Sequence, residues 1–203
     1  MENKLIHFSA FLLAERLNRY LRKDGLALKK LELGMEILLI NVSKIIIVYI
    51  LAALLGTVVQ TFILHTAYVL VRRYSYGLHA LNTTVCTLMS CCLFVLAPRI
   101  LYGVEISNPA AAAGFILIIY CLYRYAPADT KSRPLVGAKM RARLKRNAVI
   151  SGFILMIAAL VIPNESVKFL LVLGAAYQCI SIMPFTYKLL KRSAKNYENY
   201  EHA

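Results

Sequence analysis

The chain has 203 residues, of which 60% are hydrophobic and 17% charged, with a mean hydropathy of +0.62; a soluble domain carries about a quarter charged residues. The apolar excess falls in runs long enough to cross a bilayer, about 20 residues each, which excludes an ordinary soluble domain. The net charge of +14 fits either nucleic acid or an anionic membrane surface, but the basic residues lie between apolar runs with no aromatic platform, so lipid is the expected partner and nucleic acid is not.

The whole of 1–203 reads as a single membrane-embedded domain, all-α and polytopic. It begins, within residues 1–30, with an N-terminal amphipathic helix. Over residues 4–23, Leu5, Phe8, Leu12, Leu13, Leu17, Tyr20 and Leu21 recur at helical spacing opposite Arg16, Arg19, Arg22 and Lys23, the pattern of a helix lying on a membrane surface. No cleavable signal peptide is expected, because His7, Glu15 and Arg16 interrupt the first apolar segment. Asp24-Gly25 marks a turn. The apolar stretch from Gly34 to Arg72 is too long for one span, and Gly56-Thr57 offers a reversal. About six transmembrane helices follow from this reading: 34–55, 57–72, 83–101, 109–123, 147–162 and 167–187, with 124–146 a basic loop.

Six crossings put both termini on one side, and the charges name it. Of the 24 Lys and Arg residues, 21 fall on the side of the termini, leaving only Lys44, Arg99 and Lys168. Both termini and the 72–82 and 124–146 loops are therefore expected in the cytoplasm of a multi-pass plasma-membrane protein. Lys44, inside a span, is expected to pair with Glu36 two turns earlier.

Cys86, Cys91, Cys92, Cys121 and Cys179 lie in or beside apolar segments. Their spacing gives neither a disulfide framework nor a zinc pattern, so no metal or cofactor is expected. Chemistry concentrates instead in the segment from Arg72 to Ser90, which holds His79 and Cys86. An imidazole that accepts the thiol proton makes a cysteine nucleophilic. Seven residues of helix rise about 10.5 Å, whereas base and nucleophile need about 3 Å. The pair therefore requires a bend, with His79 in a loop opened by Gly77 and Cys86 in the first turns of the third span. Asn82-Thr83-Thr84 suits a helix start, and the helix N-terminus favours a thiolate. Spacing alone leaves a structural role open for both residues.

Read as R-x4-G-x-H-A-x5-C-x3-S, the stretch from Arg72 to Ser90 resembles the signature of the accessory gene regulator B family. The loop Tyr125-Ala-Pro-Ala-Asp-Thr-Lys-Ser-Arg-Pro134, ahead of a basic stretch, resembles that family's second hallmark. Many members carry a second glycine before the motif's glycine, and here Tyr76 stands in its place. The resemblance implies a membrane cysteine endopeptidase of Gram-positive quorum sensing, with Cys86 as nucleophile and His79 as general base. It implies as partner a small amphipathic precursor peptide, the family's D-type propeptide, whose C-terminal tail is removed through an acyl-enzyme thioester before a thiolactone ring closes.

Arg72 and Gly77 match positions that family needs, while Asn82, Ser90 or backbone amides near Cys86 are candidate oxyanion donors. Lys131, Arg133, Lys139 and Arg141 are candidate contacts for the precursor. Asp129 is read as a turn former rather than an orienter of His79. The alternative function is a non-enzymatic peptide exporter or small transporter, which wants paired charges at the bilayer midplane. Small residues such as Ala110–Gly114 permit helix contacts and a homodimer.

Overall fold

The computed structural model describes residues 4–78, 83–131 and 134–201, with side chains from residue 7 onward. Its regular elements are helices, and no strand occurs among the described residues. In chain order they are α1 (Lys4–Leu21), α2 (Gly25–Leu54), α3 (Val58–Ser75), α4 (Thr83–Cys91), a π-helical turn (Cys92–Leu96) and α5 (Ala97–Ile100). Then come α6 (Asn108–Tyr125), α7 (Ala138–Val161), α8 (Glu165–Ile182), α9 (Pro184–Leu189) and α10 (Glu198–Glu201). Four of these are long and apolar enough to cross a membrane: α2, the continuous run Thr83–Ile100, α7 and α8.

Three boundaries differ from the sequence reading by five residues or more. Helix α2 starts at Gly25, nine residues before the expected 34, because Leu, Lys and Glu at 26–33 are all strong helix formers whatever their polarity. Helix α7 likewise starts at Ala138, so the second half of the 124–146 basic segment is helix rather than loop. The last span ends at Ile182 instead of 187, since Pro184 cannot extend the hydrogen-bond ladder and opens α9 instead. The same residue type explains the π turn. Pro98 lacks an N–H and its ring crowds the carbonyl four residues back, and the ladder widens over Cys92–Leu96, just before it.

Helix α1 packs along α2 through the small residues Ala10 and Ala14, one turn apart and both buried, leaving Phe8, Phe11 and Leu12 exposed. Helix α2 buries only Val48 and Ala52, and Ile45, Ile46, Ile47 and Ile50 face outward. In water this would be untenable; against acyl chains it carries no penalty. The interior lies elsewhere. Helices α3 and α8 form the most extensive pair, and α6 packs on α7. On α3 the fully buried stripe is Leu64, Ala67, Val71 and Ser75, at helical spacing. Opposite it on α8 lie Gly174, Ala175, Gln178 and Ile182.

The expected Glu36–Lys44 pair does not form. Eight residues of helix separate the two by about 12 Å, and the ion pairs among the described residues are Arg141–Glu201 and Lys195–Glu198.

Candidate functional site

Helix α3 stops at Ser75, and the next three residues, Tyr76–Leu78, are not helical. What holds this short segment is polar and comes from three directions. The Gly77 N–H donates to the Ala128 carbonyl at 2.9 Å, and the Ala128 N–H donates to the Ser75 carbonyl at 2.9 Å, giving a single parallel bridge between 76 and 128. The Leu78 N–H donates to the Ser181 carbonyl on α8 at 3.3 Å. Arg72 Nη2 donates to the Leu78 carbonyl at 3.0 Å, and Nη1 donates to the Gln178 side-chain oxygen at 3.1 Å. Gln178 Nε2 in turn donates to Ser75 Oγ at 2.7 Å and to the Tyr76 carbonyl at 2.5 Å. Arg72 and Gly77, singled out from the sequence, are thus brought together; His79 and Asn82 lie outside the described residues.

The backbone of this segment is unusual. Gly77 has φ of +107°, a conformation open to glycine at no steric cost. Tyr76, standing where the resembled pattern has its second glycine, takes φ of +56° and ψ of −129°, a region that costs a residue with a Cβ about 1–3 kcal/mol and clusters at functional sites. A positive φ that glycine would take freely is thus adopted here by a tyrosine, whose carbonyl accepts from Gln178 and from Arg72. A cleft of about 340 Å³ opens beside it, lined by Arg72, Arg73, Tyr76, Gly77, Ala128 and Thr130.

Cys86 lies half-buried in the first turn of α4, which begins at Thr83. Ser90 Oγ donates to the Cys86 carbonyl at 2.8 Å. Its single hydroxyl proton is thereby directed to its own helix. Tyr68 lies one turn before Arg72 on α3. The Tyr68 phenol is within electrostatic reach of both the Cys86 thiol and the Arg72 guanidinium, the guanidinium sits 5.5 Å from its ring centroid, and Phe94 packs edge-on against it at 5.0 Å. Tyr68, Ser75, Gln178 and Ser181 were not singled out from the sequence. The available signal was polarity within apolar runs: Gln178 and Ser181 are polar residues inside a predicted span.

The expected peptide contacts separate. Lys131 and Lys139 are exposed, Arg133 lies outside the described residues, and Arg141 is taken by the chain's own C-terminal segment. Arg141 grips Glu201 with both nitrogens, at 2.5 and 3.0 Å, and stacks its guanidinium 3.9 Å from the Tyr197 ring centroid. The Gly137 N–H donates to the same carboxylate at 2.8 Å. Asp129 also serves this segment. Buried, it accepts from the Tyr197 N–H at 2.8 Å and from Asn196 Nδ2 at 3.3 Å, while its carbonyl accepts from the Tyr187 hydroxyl at 2.8 Å. Burial, with the Asp129 carboxylate beside it, pushes the Tyr187 phenol up to about 12, so it remains a donor at any physiological pH. Arg141→Ala should release residues 193–201. A bidentate, part-exposed pair of this kind contributes about 1 kcal/mol, so a melting temperature lowered by a few degrees and faster trimming of the C-terminal segment in limited proteolysis are expected.

The profile of the family described as Accessory gene regulator B matches residues 12–182. An AgrB-like protein of Listeria innocua is 47% identical over 172 residues, spanning 85% of this chain and 84% of its own length. One from Clostridium acetobutylicum is 42% identical over 186 residues, covering 92% and 89% respectively. The accessory gene regulator protein B of Staphylococcus haemolyticus is 30% identical over 188 residues, covering 91% and 94%. No solved structure matches the chain at a significant level.

Proposed function

The chain belongs to the accessory gene regulator B family, and on that premise we propose that it is a membrane cysteine endopeptidase that removes the C-terminal tail of a small autoinducer precursor. Membership implies an accessory gene regulator role in quorum sensing. The observation that carries the enzymatic reading is the anchored segment Tyr76–Leu78. Its backbone is held by bonds to Ala128, Ser181, Arg72 and Gln178, and it leads directly into His79, while Cys86 stands at the opening of the next helix.

In this reading His79 accepts the Cys86 thiol proton, and the thiolate attacks a peptide carbonyl of the precursor. The tetrahedral intermediate collapses, the C–N bond breaks, and the proton passes to the departing amine. The acyl group remains on Cys86 as a thioester. A thiol within the precursor then takes the acyl group, returning a thiolate at Cys86 and closing a thiolactone. Thioester replaces thioester, so excluding water matters more than driving force. The half-buried setting of Cys86 favours that exclusion.

Six crossings are compatible with the helices. α3 and α6 have 18 residues each and rise about 27 Å, close to the roughly 30 Å of a hydrocarbon core. Both termini, and the segments bearing 21 of the 24 basic residues, are then cytoplasmic at the plasma membrane.

The test is co-expression with the cognate precursor, comparing wild type with Cys86→Ala and His79→Ala. Each should reduce tail removal by about 10³-fold or more, as deletions of a reacting pair do. Cys91→Ala and Cys92→Ala should keep activity. Undiminished cleavage without Cys86 or His79 would sink the assignment, and loss at Cys91 or Cys92 would move the nucleophile there.

A further inference from the structure

Gln178 is fully buried in α8, about 100 residues from the segment its side chain holds. A carboxamide offers two N–H donors and one oxygen that accepts twice. Both donors are used and the oxygen is met by a guanidinium. Nε2 donates to Ser75 Oγ at 2.7 Å and the Tyr76 carbonyl at 2.5 Å; Oε1 accepts from Arg72 at 3.1 Å, while the single Ser181 hydroxyl proton is shared between Oε1 at 3.0 Å and the Gln178 carbonyl at 2.8 Å. Three of these partners lead to the same short segment. Ser75 ends the helix before it, Tyr76 begins it, and Arg72 bonds the Leu78 carbonyl. That carbonyl carbon bears the His79 nitrogen, and the peptide unit is planar. Orienting Arg72 therefore orients the bond through which His79 joins the chain. Cross-helix hydrogen bonds of this kind also hold membrane helices together; what singles out Gln178 is that its bonds run to the last turn of α3, to the Tyr76 carbonyl and to the guanidinium that holds Leu78.

We propose that Gln178 is a positioning residue for the catalytic base, acting through Tyr76–Leu78, the segment it holds and from which the chain enters His79. The inference rests on the assignment of His79 and Cys86 as the reacting pair, and its test separates the two. The full-length protein, purified in detergent, is treated with iodoacetamide across pH, and the rate at each cysteine is read by peptide mass spectrometry. Wild type is compared with His79→Ala, Gln178→Met and Gln178→Glu. If the pair is coupled, His79→Ala slows alkylation of Cys86 near neutral pH and shifts its profile to higher pH. Gln178→Met should move the Cys86 profile in the same direction and slow it about fivefold or more near pH 7, while Cys91 and Cys92 keep their rates. Should Gln178→Met fail to give a monodisperse protein, Gln178→Glu carries the test, since it keeps the oxygen that accepts from Arg72 and replaces the donor to Ser75 and Tyr76 with a second oxygen that the Tyr76 carbonyl repels.

A wild-type Cys86 profile in the Gln178 variants overturns the proposal while leaving the pair intact. Equal changes at Cys91 and Cys92 also overturn it, because they report general loosening. A wild-type profile in His79→Ala overturns the pair, and the proposal with it.

Discussion

Gly77→Ala is expected to abolish precursor processing and to lower the melting temperature of the purified protein, though residue 77 takes no part in the bond chemistry. Two independent obstacles meet at this position. The φ of +107° costs a residue with a Cβ about 1–3 kcal/mol. The added carbon would also lie 2.8 Å from Ser181 Oγ, 2.9 Å from Ile182 Cγ2 and 3.1 Å from the Ser181 carbonyl. None of these can step aside cheaply. The Ser181 hydroxyl is bonded to Gln178, its carbonyl receives the Leu78 N–H, and Ile182 is buried. Relief requires Tyr76–Leu78 to lift from α8, which breaks the bonds that bring the chain to His79. Thermal unfolding and tail removal, measured on the same preparation, check the expectation. An alanine variant with wild-type values in both would show that this segment tolerates displacement.

The residues that were legible in the sequence, and those that were not, divide along a physical line. Arg72, Gly77, His79 and Cys86 sit within 15 residues of one another, so a local pattern can hold them. Gln178 and Ser181 act on the same segment from over 100 residues away, and only the pairing of α3 with α8 makes them neighbours. Their polarity within an apolar run marked them as unusual without naming a partner. The spans were legible as apolar runs, but their ends were not. At 25–33 and 138–146 charged side chains interrupt the apolar pattern, which ends an apolar run but not a helix, because helix propensity is indifferent to that charge. The basic segment shows the limit of reading charge alone. Counting cations gives a topology, yet it cannot reveal that Arg141 is already paired with Glu201 sixty residues later.

Gly174→Ala is expected to destabilise the bundle and, through it, to impair the site. Membrane helices approach closely where small residues face each other, since lipid supplies no hydrophobic drive to hold them together. Here the approach is extreme. A Cβ at 174 would collide with the Leu64 carbonyl oxygen and lie 2.9 Å from Ala67 Cβ and 3.2 Å from the Tyr68 nitrogen, and two of those three atoms are backbone. Backbone within a helix cannot rotate away, so α3 and α8 must move apart by roughly 1 Å, an overpacking cost of about 1–3 kcal/mol. The displacement falls on the face that matters. Gln178 lies one turn beyond Gly174 and Ser181 two turns beyond, while Tyr68 and Arg72 ride on the opposing helix. Parting the pair therefore stretches the Arg72–Gln178 and Gln178–Tyr76 bonds together. Gly114→Ala supplies the comparison, because its Cβ would meet only the Val172 side chain, at 3.1 and 3.8 Å, and a side chain can shift by tenths of an ångström. The expected result is a lower melting temperature and reduced processing for Gly174→Ala, with Gly114→Ala close to wild type in both. Equal behaviour of the two variants would mean that the α3–α8 contact is not what keeps the Tyr76–Leu78 segment in place.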